Sequence, residues 1–215
     1  MQRVAMIAKL MAGAFLFSGV ALADYQLDFT IPAFASGSVS YAGGSSPLVG
    51  TGITVSSIDG LNGALNNNVS LNCTNCFLNF STGGLVSQSS GVYNFGSGGS
   101  FTLTGTAAGA TGALLNGSFN SAVLTAGGFW DFTTALFTTA VNPAITNYYG
   151  MPATPPNYAG SLALLFAGGS GPNGSISSYQ VFSGNIGASV PEPASMVLLG
   201  TALLGCVAVA RRRIS

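Results

Sequence analysis

The sequence predicts an all-β body, an antiparallel β-sandwich or jelly-roll-like domain, framed by an N-terminal signal peptide and a single C-terminal transmembrane helix. Three observations predict it. Short stretches alternate apolar and polar residues, Gly- and Asn-rich turns separate them, and an apolar run stands at each end of the 215-residue chain beside basic residues. A β-helix is the weaker alternative for the body, because its turn cues recur without a fixed period.

Residues 1–23 carry the pattern of a signal peptide. Arg3 and Lys9 form a positive start, Leu10 to Val20 an apolar run, and Ala21-Leu22-Ala23 the small-residue pattern that fits a peptidase pocket. Cleavage by signal peptidase is expected between Ala23 and Asp24. The run is shorter than the roughly 20 apolar residues that a span requires.

The body, residues 24–183, opens on Tyr25 to Ile31, which alternates strictly and reads as a half-buried strand. Further strands are expected at 39–41, 52–58, 69–80, 92–95 and 101–104. Others follow at 113–119 leading into Val123, at 129–137, at 161–166 and at 177–182, where Tyr179 and Val181 share a face. Gly-Ser followed by an apolar residue recurs at Gly37, Gly99, Gly117 and Gly174, and each reads as a turn delivering the chain into a strand. Residues 151–157, with Pro152, Pro155 and Pro156, read as a loop. Fourteen Phe and seven Tyr supply a core. Disorder would bring few aromatics and a high net charge.

The charge distribution excludes whole classes of function. Net charge is zero, yet all five basic residues lie in the first nine or last five positions. From Asp24 to Val190 there is no Lys, Arg, His or Glu, only Asp24, Asp28, Asp59 and Asp131. A body without cations cannot displace the counterions of a phosphate backbone, so nucleic acid is not an expected partner. Without His, Lys or Glu there is no ordinary general base. No catalytic residue, no cofactor and no metal site is expected, and the chain does not read as an enzyme.

Cys73-Thr74-Asn75-Cys76 is the one chemical pair of the body. Two cysteines three apart outside the cytoplasm are expected to form a small structural disulfide. A redox motif would open a helix, and zinc would need four ligands. Cys206 reads as a small hydrophobe in the tail. Asp59-Gly60 with Asn62 and Asn66 to Asn68 offers too few carboxylates for calcium and reads as turn chemistry.

Residues 184–190 read as a flexible linker, and residues 191–215 as a membrane-directed tail. Its parts are Pro191-Glu192-Pro193, an apolar run from Ser195 to Ala210, and Arg211, Arg212 and Arg213, which mark the cytoplasmic stop. Two prolines hold an extended segment that a protease can grip. This order resembles the PEP-CTERM sorting signal of Gram-negative bacteria. The resemblance covers about the last 26 residues and rests on the Pro191-Glu192-Pro193 motif and the triple Arg. It implies recognition by exosortase, an integral-membrane cysteine transpeptidase thought to remove the tail. It also implies a host that makes exopolysaccharide. The Gly99 to Gly105 segment is similar, more weakly, to bodies of other such proteins.

The expectation is therefore an exported envelope or extracellular-matrix protein. It is held at the inner membrane for a time, then placed at the cell surface or in a biofilm matrix with a structural or adhesive role among exopolysaccharide. Three alternatives stay open. The first is a carbohydrate-binding module using Trp130, Tyr148, Tyr149 or Tyr158, with Asp131 accepting a sugar hydroxyl. The second is an ice-binding face on the file Thr102, Thr104 and Thr106. The third is a periplasmic domain on a plain C-terminal anchor.

Overall fold

A computed structural model describes residues 25–151 and 158–189. Alternation writes the first strand: in β1 (Gln26–Ile31), Leu27, Phe29 and Ile31 are buried and the residues between them look outward. The same alternation runs through β2 (Ser38–Tyr41), β3 (Pro47–Leu61), β4 (Ser70–Ser89), β5 (Val92–Phe95) and β6 (Gly99–Ala107). The remaining strands are β7 (Ala110–Ala126), β8 (Trp130–Val141), β9 (Tyr158–Ser170) and β10 (Ile176–Ser189). Pro143–Tyr148 form the short helix α1 between β8 and β9.

All ten strands belong to one antiparallel sheet, and the sheet closes on itself. β1 pairs with β3 on one side and β10 on the other. β2 continues the stave of β1 between the same two neighbours, and β5 and β6 share another stave between β4 and β7. The ring therefore has eight staves, and each joins its sequence neighbour through a short turn, except where α1 intervenes. A two-sheet sandwich was the expectation. A sandwich and a barrel bury one face of every strand alike, so alternation alone could not separate them. The distinction lies in the pairing of the first strand with the last, which leaves no open edge.

The inside is packed with rings that meet across the barrel. Tyr41 lies edge-on to Phe95 at 5.7 Å, and Phe80 stacks on Phe132 at 5.2 Å. Neither pair sits on neighbouring strands, so both contacts pass through the interior. Ser38, Ser40, Asn79, Ser100, Thr104 and Asn116 look outward and are exposed. Apolar inside and hydroxyl-rich outside is the reverse of a membrane barrel, whose lipid-facing band is apolar.

The two ends differ. At one end α1 closes the interior with Ile145 and Tyr149, followed by Met151, all buried. Asn142 caps the helix by accepting from the Ala144 amide at 3.0 Å, and its side-chain amide donates to the Ala113 carbonyl. The Tyr149 hydroxyl donates to the carbonyls of Ile58 (2.6 Å) and Val69 (3.0 Å). Its ring lies so close to Gly60 that a Cβ there would come within 2.3 Å. The other end holds the turns before β3, β5, β8 and β10.

Three expectations about local structure change. Residues 184–189 of the expected linker are strand: Ile186 and Ala188 are wholly buried, and the segment pairs with β1 and β9. The body thus runs past residue 183. Small residues suggested a stem, but alternation at 186 and 188 continues the barrel wall. Gly117-Ser118 is no turn but lies midway along β7, with Phe119 buried. Asp59-Gly60 is likewise strand rather than turn: both lie in β3, opposite Asp28 and Leu27 of β1. Gly37 and Gly174 do precede β2 and β10.

Candidate functional site

The chain enters and leaves the barrel at one place. Gln26 stands opposite Ser189, and Ile31 opposite Gly184. The expected signal-peptidase residues Ala21, Ala23 and Asp24 lie outside the described residues, as do Pro191, Glu192 and Pro193, the apolar run, Arg211, Arg212 and Arg213, Cys206, and residues 152–157 of the proline loop.

Cys73 and Cys76 are joined by a disulfide with Cα atoms 5.6 Å apart. It spans a register shift where β4 slips against β6 between Thr74 and Phe77, and Asn75 at its centre has φ 50°. The bond therefore staples a bulge in a strand.

Asp28 and Asp59 face each other across β1 and β3. Burial pushes the Asp28 carboxyl above the usual carboxylate range; the Asn185 hydrogen bond works against this, and the Asp59 charge adds to it. Its Oδ1 is enclosed without a hydrogen-bond partner among the described residues. The Asn residues of the nearby loop serve the backbone. Asn66 donates to the Tyr148 carbonyl and Asn67 accepts from the Asn62 amide. Among the described residues no three His, Cys, Asp or Glu gather to hold a metal.

The aromatics singled out for sugar binding do not share a surface. Trp130 is only 9% exposed, packed parallel to Phe166 and edge-on to Tyr93, with its indole N–H given to the Gly168 carbonyl at 3.3 Å. Tyr149 is fully buried at the α1 end, beside Tyr148. The side chain of Tyr158 lies outside the described residues. Asp131 is exposed on the outer wall. The file Thr102, Thr104 and Thr106 does face outward. Asn79 and Phe77 flank Thr102 and Thr104 on one side and Asn116 and Ala113 on the other, while Thr106 lies between Thr74 and Thr111, so threonine neighbours accompany the file at Thr106 alone.

The exposed aromatics are others. β10 slips twice against β9, between Ser178 and Gln180 and between Val181 and Ser183. The extra residues in those bulges are Tyr179 and Phe182. Tyr179 is 77% exposed. Phe182 lies edge-on to Phe129, at the tip of the β7–β8 turn, at 4.9 Å, and to Phe34 at 5.5 Å. Phe129 and Phe34 are 48% and 69% exposed. Phe129 and Tyr179 flank an open cleft of about 390 Å³, floored by Trp130 and Tyr93 and edged by Gly168 and Ser170. The expectation that Tyr179 and Val181 share a face fails here: the extra residue at 179 breaks the alternation, so Tyr179 is exposed while Val181 is wholly buried.

Residues 189–213 match the family of the PEP-CTERM protein-sorting motif. Such a motif marks an exported protein that is anchored in the membrane transiently and is processed by exosortase. The match begins on the last residue of β10. No curated protein and no solved structure matches the chain.

Proposed function

We propose that the chain is released from its leader at Asp24 by signal peptidase, held by its C-terminal span, and cut by exosortase near Pro191. The barrel then remains as a structural or adhesive protein at the cell surface or in an exopolysaccharide matrix. The observation that carries this reading is the sorting match at residues 189–213. The junction supports it: β10 ends at Ser189, so a cut near Pro191 removes no strand from the barrel. The outer wall suits the role. Its hydroxyls and amides can exchange hydrogen bonds with a hydroxyl-rich polymer, and it carries no cation. The barrel acts by contact rather than turnover, since a body without His, Lys or Glu has no ordinary general base.

Intact-mass measurement of the protein from hosts with and without exosortase tests the reading. The expected mass starts at Asp24 and lacks the tail only where the enzyme is present. A tail retained through Ser215 in both strains overturns it in favour of a plain anchor.

A further inference from the structure

We propose that the barrel end far from its chain ends binds a neutral glycan, with Tyr179 and Phe129 as stacking platforms and the cleft between them taking one or two sugar rings. Two sequence-coded bulges turn Tyr179 and Phe182 out of the wall, at the cost of ladder hydrogen bonds. Neither residue is needed on that face for the core, which Val181 and Ile176 already fill. Bulges of this kind re-aim side chains; here one sets Tyr179 at the cleft and the other sets Phe182 against Phe129.

The chemistry of the cleft selects the occupant. Its volume falls at the small end of the range for small-molecule sites. Its walls offer ring faces for the C–H face of a pyranose. Its rim offers the Ser170 hydroxyl and glycine backbone, which can bond to sugar hydroxyls. No cation lies anywhere in the body, so an anionic ligand would find no counter-charge. A protein partner would bury about 800 Å² per side around a broad apolar centre. On β8 and β10, which carry this patch, Asp131, Ser177 and Ser183 are polar and exposed.

Position agrees. Phe182 and Tyr179 lie seven and ten residues up β10 from Ser189, about 20–30 Å from the chain exit at strand rise. The patch is therefore well clear of the strand ends Gln26 and Ser189. The proposal rests on the export reading, though not on tail removal, and the test below uses purified protein so that the two fail separately.

Isothermal titration of the full chain, purified after export, against neutral gluco-, manno- and galacto-oligosaccharides and against an oligo-uronate tests it. Saturable binding of at least one neutral series is expected, with none of the uronate. Tyr179→Ala and Phe129→Ala should each weaken binding at least about tenfold, while thermal unfolding of Tyr179→Ala stays at the wild-type temperature. Absence of saturable neutral binding, preference for the uronate, or unchanged affinity in both variants overturns the proposal. So does concentration-dependent dimerisation abolished by Tyr179→Ala, which would make the patch a contact between copies of this chain.

Discussion

Gln26 and Ser189, the first residue of the first strand and the last of the last, face each other across a ladder that runs on to Ile31 and Gly184. This pair makes the sheet a ring. The fold therefore depends on residues that border the sorting signal, and their removal should be far more costly than that of a linker. A chain ending at Ser183 exposes the side of β1 and deletes the buried Ile186 and Ala188. Burial of one Ile side chain alone is worth about 1.5–3 kcal/mol. With the lost pairing, the deficit should reach the roughly 5 kcal/mol at which small domains stop being stable. Circular dichroism melting should show a cooperative transition for a chain ending at Val190 and none for one ending at Ser183.

Tyr149 closes the end of the barrel where the chain ends lie. Tyr149→Phe strips a donor from the Ile58 and Val69 carbonyls and should cost about 1–3 kcal/mol. At this size that lowers the melting temperature by about 2–4 °C per kcal/mol. Burial, and then the charges of Asp59 and Tyr148, push the phenol up to about 12. A raised folded value means that the contribution is complete below the ordinary value of 10.0 and is lost as pH rises toward 12. Denaturant titrations from pH 9 to 12 should show stability falling in the wild type, with a shallower fall in Tyr149→Phe.

Asp28 and Asp59 repel across their strands with no cation in the body to relieve them. Burial is the larger reason that the Asp28 carboxyl sits above its ordinary 3.8. The sign follows: the protonated form is favoured by folding, so stability is fullest below pH 3.8 and falls as pH rises through the raised value. Asp28→Asn should therefore stabilise the barrel at pH 7, and its advantage should shrink to nothing as pH falls below about 4. The repulsive share is less than about 1 kcal/mol at partly exposed positions, and Asp59→Asn should recover only that share. Melting temperatures at pH 3 and pH 7 check both. An Asp28→Asn advantage that persists at pH 3 would point to a packing effect.

How much of this was legible depended on whether the signal was linear. The sorting tail is a contiguous string, so its residues could be read directly and the family match falls on them. Alternation at Leu27, Phe29 and Ile31, and at Phe101 and Leu103, marked which faces are buried. Closure was not legible, because it depends on one contact between residues over 150 positions apart. Nor was exposure: Trp130 and Phe129 are adjacent, yet strand alternation sends one inward and leaves the other at the turn tip. The stem at 184–189 was misread because glycine and alanine serve a tight barrel wall as readily as a linker.

The Cys73–Cys76 staple and Gly105 make the sharpest contrast. The disulfide closes a loop of four residues, for which chain entropy gives about 2 kcal/mol at most. Reduction, or Cys73→Ser, should thus loosen the β4 bulge and leave the barrel folded. Gly105 lies on β6 beside that bulge, and a Cβ there would come within 2.3 Å of the Cys76 sulfur and 2.8 Å of its Cα. Once reduced, the sulfur is free to swing away, but the Cα cannot move without the strand. Gly105→Ala should therefore cost about 1–3 kcal/mol as an overpacked contact, in oxidised and reduced protein alike. Urea unfolding of both proteins with and without reductant separates the terms. If reductant rescues Gly105→Ala, the clash is with the sulfur alone and the bulge backbone is softer than its pairing indicates.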